Sequence, residues 1–430
     1  MKQRKGHKTL RRVLLSSFAI IVIAVVIFGR FGGFGTGSSA DVNEIRQYAG
    51  PVNELEIPER TRIIALGEAT HGNVEFQQLK KEVFQKMVEE YGIRAFVLEG
   101  DYGGCEYVNR YIHGGEGTAS SAAAAIGFSI YRTQEMADLI SCMRDYNQTV
   151  AEGEDLRFYG NDMQRQSYNG QYLIEGAEAA HVDTAAFKHI WDGEGFSEDA
   201  TKEERRSTLT EIRDKILASD ADNAALTAHF ADTLLQNQEF GEVFSTDQAN
   251  GLKSTALRDQ MMADNTLWIL EQEEDRGNKR IFLACHNGHM EEEGSYANDA
   301  GKMTGNLVAD AIGADAYYAI GTDFYRTDCN LPKYSGSRTV QTFYSYDSIA
   351  KGVAKAGMDA ALLDFAKLPE GSELRSIVDS YIYLGSLGEG YTFLMHFLPM
   401  TYREYRQPSA MYDAMIYVTH AHPTVCLEEE

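Results

Sequence analysis

Short apolar runs alternate with helical patterns over most of this chain. Five runs have the length and composition of buried strands: Arg62–Leu66, Ala95–Leu98, Leu156–Tyr159, Arg280–Cys285 and Ala316–Ile320. Between the first two, the apolar residues Leu79, Val83, Phe84 and Met87 recur at helical spacing and predict a helix over 76–91. Because strands that alternate with helices form parallel sheets, the pattern predicts an α/β fold with a mainly parallel central sheet flanked by helices.

The interval from about 197 to 275 has a different pattern. It is poor in strand signals, and its apolar residues recur at three- and four-residue steps: Leu209, Ile212 and Ile216, then Leu226, Phe230 and Leu234. We expect a helical insertion here that covers the carboxyl ends of the strands, although a plain packing layer fits the periodicity equally well. The tail from about 343 to 430 contains shorter patterns, with Ala414–Thr419 as the expected last strand.

The N-terminus is a separate segment. Residues 1–40 contain seven Lys or Arg and no acidic residue, and the apolar run Val13–Phe28 is followed by a Gly-rich stretch. This order predicts an uncleaved membrane anchor, with a cleaved signal peptide as the close alternative and a hydrophobic start to a cytosolic protein as the third. On the first two interpretations, residues 41–430 form an extracytoplasmic domain, membrane-anchored or secreted.

Composition limits the classes of partner. The formal net charge is −24, and the basic N-terminus makes the rest of the chain still more acidic, so nucleic acid is not expected as a partner. A hydrophobic content of 43% supports a large core. The five cysteines stand far apart without a C-x-x-C pair, which excludes a zinc ribbon or a C-x-x-C redox motif.

An ionisable residue follows each of the first four predicted strands. These residues are Glu68, Glu99, Asp162 and His286. Each alone could be a surface charge or a helix cap, but parallel strands gather their carboxyl ends at one edge of the sheet, where α/β proteins bind ligands. The sequence therefore predicts an active site at this edge.

Two of these strand ends carry histidines. Glu68 is followed by His71 and Glu75, and the three would share one face if the segment turned helical, with a carboxylate orienting His71 as a general base. His286 and His289 are three residues apart after the fourth strand. They could serve as metal ligands with Glu68 or Glu99, or as groups that transfer protons and stabilise an oxyanion.

Several standard catalytic motifs are missing. The chain has no G-x-S-x-G nucleophile elbow, no G-x-x-x-x-G-K-[ST] phosphate loop and no H-E-x-x-H zinc motif. These absences disfavour a serine hydrolase, P-loop nucleotide chemistry and zincin-type proteolysis. Activation of water by histidine, with or without a metal, is the chemistry that is left.

A set of motifs between about Arg62 and Thr322 resembles the erythromycin esterase family. The motifs, in family order, are Gly67–Gly72 with Glu75-Phe76, Leu98-Glu99, Asn109–Gly114, Phe158–Asp162, Arg258–Asn265 and His286–His289. The resemblance implies a two-part α/β structure with a helical insertion over the cleft, and water-mediated hydrolysis of a macrolide lactone.

The resemblance also implies roles for individual residues. His71 would be the general base supported by Glu68, with His286 and His289 near the substrate carbonyl and Glu99 on the cleft wall. Three further residues are expected to contact substrate: Glu75, Arg110 and Asp162.

The sequence hypothesis is a hydrolase of a small-molecule carboxylic ester or macrolide-type lactone that needs no cofactor. One alternative is a metal-dependent hydrolase, in which Glu68, His71, His286 and His289 bind a divalent metal. The other is an extracytoplasmic binding protein for a metal complex or a hydrophobic ligand.

Overall fold

The computed structural model describes residues 14–25, 38–151, 153–247, 251–294 and 301–427. The strands are β1 Ile63–Glu68, β2 Ala95–Asp101, β3 Arg157–Asp162, β4 Ile281–His286, β5 Tyr317–Pro332, β6 Arg338–Tyr344, β7 Ala360–Asp364, β8 Ile382–Gly385, β9 Arg403–Arg406 and β10 Ala414–Ala421. The first eight helices are α1 at 14–25, α2 Val42–Tyr48, α3 Val74–Tyr91, α4 Tyr102–Ile112, α5 Ala119–Ala125, α6 Gln134–Asn147, α7 Ser167–Ala179 and α8 Ala185–His189. They are followed by α9 Lys202–Leu217, α10 Ala224–Thr246, α11 Leu252–Asp275, α12 Asn287–Met290, α13 Thr304–Ile312, α14 Ser348–Ala356, α15 Glu373–Val378 and α16 Pro408–Met411.

The central sheet has the strand order β3-β2-β4-β1-β5-β10-β7. The first six strands in this order are parallel, β7 is antiparallel at one edge, and β6 pairs antiparallel with the extended end of β5. A second, two-stranded sheet contains β8 and β9. The predicted α/β fold with a mainly parallel sheet is confirmed.

The apolar runs identified the buried strands. All five predicted strands and the last strand at Ala414 are present, and β1, β2, β3 and β4 each run through the ionisable residue that was expected to follow them. The remaining strands were not predicted. β6 shows why, because most of its residues are partly or fully exposed and it therefore lacks an apolar run.

Hydrophobic cores lie on both faces of the sheet. On one face, Ile64, Leu66 and Phe96 pack with apolar residues of α3 and α6. On the other face, Ile63 and Ala65 pack with apolar residues of α11, α13 and α14. Consecutive residues of β1 are therefore buried in opposite directions, which explains its unbroken apolar run.

β1 and β4 lie side by side at a topological switch point. The chain leaves β1 through α3 on one face towards β2, and leaves β4 through α13 on the other face towards β5. The two strands pair in a register that sets Glu68 opposite His286 at their carboxyl ends. Since the connections diverge here, a crevice opens between the strand ends, which is where α/β proteins bind ligands.

The interval predicted as a helical insertion contains α9, α10 and α11 between β3 and β4. α11 packs against the sheet through Ala263, Ile269 and Leu270, and its N-terminal half brings Arg258 towards the carboxyl edge. α9 and α10 pack with α7 and α8 in a separate cluster. The division of the chain at residues 40, 197 and 275 stays a prediction.

The N-terminal anchor or signal falls partly outside the described residues, which omit 1–13 and 26–37. Residues 14–25 form the exposed helix α1. Among the described residues, no helix combines the length and the apolar character needed to cross a membrane.

The aromatic centre of the first core gives a test of the fold. The buried ring of Phe96 lies 5.0 to 5.5 Å, between ring centroids, from Phe84, Phe158 and Phe282. We expect Phe96→Ala to lower the free energy of unfolding by about 3–5 kcal/mol, because it leaves a cavity that rigid neighbours do not fill. Phe244, which is 65% exposed, is the control. Denaturant unfolding that gave equal losses for Phe96→Ala and Phe244→Ala would contradict this account of the core.

Candidate active site

A cavity of about 330 Å³ opens at the carboxyl edge of the sheet. It is lined by His71, Glu99, Phe128, Ile130, Gln164, Arg258, His286, His289, Gly388 and Glu389. Four residues from three separate strand ends, His71, Glu99, His286 and His289, are thus brought together, as the sequence predicted. Glu68 lies directly behind His71.

Glu68 fixes the orientation of His71. The segment after β1 is not helical, and it turns His71 back so that its Nδ1–H donates to Glu68 Oε1 at 2.8 Å. The other carboxylate oxygen, Oε2, accepts from Lys80 Nζ at 2.6 Å and from Gln77 Nε2 at 3.0 Å. Because the proton on Nδ1 is held by Glu68, Nε2 of His71 carries a lone pair and is the nitrogen available to the cavity.

The neighbours of Glu68 and His71 set the charge states of both residues. Burial lowers the pKa of His71, but the hydrogen bond and the negative charge of Glu68 outweigh it, and the net pKa is raised above the usual histidine value. Burial raises the pKa of Glu68, but the charge of Lys80 and the contact with His71 outweigh it, and the net pKa is lowered. Glu68 is therefore a carboxylate that stabilises the protonated form of His71.

Lys80 is buried with 1% of its surface exposed. It comes from α3, where its Nζ contacts Glu68 Oε2, donates to Gln77 Oε1 at 2.9 Å and lies 5.3 Å from the ring centroid of Tyr131. A buried lysine is rare unless it is paired with an opposite charge. The pairing of Lys80 with Glu68 offsets the cost of burying both groups.

His286 has the opposite arrangement of its ring nitrogens. Its Nδ1 accepts the backbone N–H of Gly288 at 3.2 Å, so the neutral ring carries its proton on Nε2. That Nε2 is buried and has no partner among the described residues. Burial and the neighbouring charge of His71 lower the pKa of His286 to about 3, and the ring centroids of His71 and His286 are 4.8 Å apart. His286 is therefore a neutral ring with its proton on Nε2, next to the ring of His71.

Arg258 joins two of the predicted carboxylates. Its Nη2 donates to Glu99 Oε1 at 2.8 Å and to Asp162 Oδ2 at 2.7 Å. The other oxygen of Glu99 accepts the backbone N–H of His286 at 2.9 Å. Burial raises the pKa of Glu99, but His289 and Arg258 outweigh it and hold this pKa well below its usual range. Glu99 thus fixes the end of β4 while remaining charged.

His289 is held by a second carboxylate. Its Nδ1 bonds to Asp259 Oδ1 at 2.8 Å, and its Nε2 lies 3.5 Å from Glu99 Oε1 and 3.2 Å from Arg258 Nη1. Burial and Arg258 lower the pKa of His289, but Asp259 and Glu99 outweigh them and raise it to about 9. His289 is therefore mostly an imidazolium at neutral pH, unlike His286.

Glu75 and Arg110 lie away from this cavity. α3 begins only at Val74, so Glu75 does not share a helical face with Glu68 and His71, and its carboxylate instead contacts the ring of His422. Arg110 forms ion pairs with Glu106 and Glu175 along α4 and α7. Asp162 does not line the cavity; its Oδ2 accepts from two residues that do, Arg258 and Gln164.

Sequence reasoning did not assign roles to Lys80, Arg258, Asp259 or Glu389. A signal existed for Lys80, because it lies four residues after Phe76 and four before Phe84, both buried, and hence on the apolar face of α3. Arg258 and Asp259 lie in a recognised motif but reach the site from the distant helix α11. Nothing in the local pattern marked Glu389.

The residues proposed as metal ligands are already committed to other contacts. Glu68 and Nδ1 of His71 bond to each other, and both ring nitrogens of His289 have charged neighbours. Within the described ranges, no group of three or more His, Cys, Asp or Glu side chains has an arrangement that could hold a metal ion.

The fold and the cavity together define an α/β protein with paired histidines at the switch point of its sheet. The model of the erythromycin esterase family matches residues 88–421. The chain belongs to this family, which is one of ester and lactone hydrolases.

One curated protein and one solved structure are similar to this chain. Erythromycin esterase type II of Escherichia coli is 22% identical over 366 residues, which are 74% of this chain and 83% of that protein. A crystal structure of a Bacillus cereus protein superposes with a TM-score of 0.74 at 19% identity, covering 90% of this chain and 98% of that one.

Two further solved structures share the fold. A succinoglycan biosynthesis protein gives a TM-score of 0.72 at 18% identity, covering 90% of this chain and 98% of that one. A mutant of the erythromycin esterase EreC in its open conformation gives 0.59 at 16% identity, with coverages of 90% and 96%.

The raised pKa of His289 predicts a pH-dependent contribution to stability. Because its folded-state pKa of about 9 exceeds the unfolded value of about 6.5, the folded state binds more protons between these pH values. We expect the stability advantage of the wild type over His289→Gln to be complete below pH 6.5 and to decline as the pH rises through 9. Free energies of unfolding measured across this range would show it; a difference independent of pH would disprove the assignment.

Proposed function

We propose that the protein hydrolyses a carboxylic ester or macrolide-type lactone with a water molecule activated by His71. One observation carries the proposal. The rings of His71 and His286 both line one cavity and lie 4.8 Å apart between centroids; the first carries a lone pair on Nε2, and the second carries an unpartnered N–H on Nε2. A hydrolytic site needs a proton acceptor and an oxyanion donor close to one carbonyl group.

The chemistry follows from these two groups. Water between His71 and the substrate gives a proton to His71 Nε2 while its oxygen forms a bond to the carbonyl carbon. The carbonyl oxygen becomes an oxyanion and accepts the N–H of His286, with the charged His289 nearby. The bond to the alcohol oxygen then breaks, and the protonated His71 returns its proton to that oxygen. The products are a carboxylic acid and an alcohol, or one hydroxy acid from a lactone.

Glu68 has two functions in these reaction steps. It keeps the proton of His71 on Nδ1, so that Nε2 can accept a proton from water, and its charge stabilises the imidazolium that forms. Lys80 and Gln77 hold Glu68 from behind, so the dyad is oriented before substrate binds.

Family membership supports a macrolide-type lactone as the substrate. The Escherichia coli relative is an erythromycin esterase, and the present chain covers most of its length. The acidic cavity residues are largely paired with cations, as in Glu99 with Arg258 and Glu389 with Arg338, so an uncharged ester is compatible with the site.

Loss of the proposed base gives the direct test of function. We expect His71→Ala to reduce turnover of a hydrolysed macrolide or ester by about 10² to 10⁴, because the water loses its proton acceptor. His189→Ala, on an exposed helix end, is the control. Products are followed by mass spectrometry as the gain of one water. Unchanged turnover in His71→Ala would refute the proposed base.

The same assay with added chelator separates the alternatives. Retained turnover supports metal-free hydrolysis, whereas chelator-sensitive turnover restored by a divalent metal would favour the metal-dependent enzyme. A protein that binds panel members but hydrolyses none would favour the binding protein.

The pH profile tests the role of Glu68. His71 must be neutral to accept a proton, so kcat/KM should rise with pH through a pKa above the usual value of about 6.5. Glu68→Gln removes the charge that raises this pKa, so we expect a slower enzyme whose acidic limb is shifted to lower pH. A limb that did not move in Glu68→Gln would show that another group titrates.

A further inference from the structure

Two short segments line the cavity, and because Gly388 and Glu389 are exposed, we call the two the mouth segments. One contains Phe128 and Ile130, and the other contains Gly388 and Glu389; all four residues line the cavity. The segments are far apart in sequence and come from different parts of the chain. What holds them relative to each other therefore determines the width of the entrance.

Arg338 contacts both segments. Its Nη1 and Nη2 donate to the two oxygens of Glu389, each at 3.1 Å, and Nη1 also lies 3.3 Å from Ser129 Oγ, between Phe128 and Ile130. Such a two-point arginine–carboxylate contact fixes orientation as well as distance. The arginine side chain is 18% exposed and that of Glu389 is 32% exposed, so the pair is partly shielded from solvent.

Arg338 is also linked, through Asn330, to the segment that follows β1 and contains His71. Its Nη2 donates to the carbonyl oxygen of Asn330 at 2.7 Å, and its Nε donates to Asn330 Oδ1 at 3.3 Å. The backbone N–H of Asn330 in turn donates to the carbonyl oxygen of Gly72 at 3.1 Å, directly after His71. A Cβ on Gly72 would lie 2.3 Å from this same Asn330 oxygen, so the approach requires glycine. These contacts thus fix the position of Arg338 relative to the proposed base, His71.

The second mouth segment has few other constraints. Residues 388–390 are exposed and read Gly-Glu-Gly, so Glu389 carries the segment's one side chain. A Cβ on either glycine would meet no atom within 4 Å. Backbone bonds hold the flanking residues, from Leu387 N to Ala69 O at 2.8 Å and from Tyr391 N to Pro332 O at 2.9 Å. Between them the segment has one internal backbone bond, from Gly390 N to Gly388 O at 3.1 Å, and the side-chain contact of Glu389 with Arg338.

We propose that Arg338 is a specificity-determining residue, which clamps the two mouth segments and thereby sets the largest ester or lactone that reaches His71. The proposal rests on the proposed function for the identity of the substrate, but the width of the mouth can be measured without turnover. Removing the clamp frees the Gly-Glu-Gly segment and widens the entrance, so bulky molecules gain access relative to small ones.

The first measurement is reagent access to the cavity histidines. Wild type and Arg338→Ala are treated with diethyl pyrocarbonate, which is small, and with 4-bromophenacyl bromide, which is bulkier, and modification of His71 and His286 is followed by peptide mass spectrometry. The ratio of the two rates cancels changes in histidine reactivity. We expect Arg338→Ala to raise the bulky-to-small ratio about fivefold. Loss of a partly buried ion pair should increase the fraction of molecules with a widened entrance by this factor.

Three further variants make the result specific. Arg338→Lys keeps the charge but loses the two-point contact and should give an intermediate ratio, and Glu389→Gln should raise the ratio as Arg338→Ala does. Arg213→Ala, which removes an arginine paired with Asp214 and Asp232 on α9 and α10, should leave the ratio unchanged. Thermal unfolding of each variant identifies those that fold, and Arg338→Lys and Glu389→Gln carry the test if Arg338→Ala does not.

Equal ratios in wild type and the folded clamp variants would overturn the proposal. A second measurement compares kcat/KM for a bulky and a small ester, and the bulky-to-small ratio should rise in the same order of variants. A wild type that hydrolyses no ester would refute the proposed function, whereas the reagent ratio would still decide whether Arg338 sets the width of the mouth.

Discussion

The buried ion pair between Glu68 and Lys80 is the interaction on which the site depends. Glu68 ends the central strand β1, where both faces of the sheet are covered and water cannot solvate a carboxylate. Lys80 and Gln77 on α3 occupy one oxygen, which leaves the other to hold His71. Removing one partner of such a pair leaves an unpaired buried charge, which is strongly destabilising. One cluster therefore joins sheet, helix and proposed base.

The topology of the sheet supplies the rest of the site. Because β1 and β4 are neighbours whose connections diverge, His286 lies opposite Glu68 without a long loop to position it. The two histidines differ in charge behaviour because of their neighbours: His71 bonds to a carboxylate, whereas His286 accepts a backbone N–H and keeps its own proton on Nε2. Two histidines thus have different roles: His71 can accept a proton, and His286 can donate a hydrogen bond.

The sequence predicted the features that depend on buried strands. Continuous apolar runs located β1 to β5, and the polar residues at their ends identified His71, Glu99 and His286 as neighbours. It did not predict the contacts that depend on where helices and hairpins dock. Lys80 resembles a surface lysine unless the apolar face of α3 is traced, and the Arg338–Glu389 pair joins strand β6 to a Gly-Glu-Gly loop. Glu75 was grouped with Glu68 and His71 on the expectation that the segment is helical from Glu68 onwards. Helix α3 begins six residues after Glu68, at Val74, so the grouping fails.

The central claim is that His71 and His286 carry their protons on opposite ring nitrogens. Nitrogen-15 NMR of histidine-labelled protein, recorded from pH 5 to 9, measures this directly. The account predicts that His71 is protonated on Nδ1 when neutral and titrates above the usual histidine pKa of about 6.5. It predicts that His286 stays neutral with its proton on Nε2 across the range. A neutral His71 protonated on Nε2, or a His286 that titrates near pH 6.5, would contradict it.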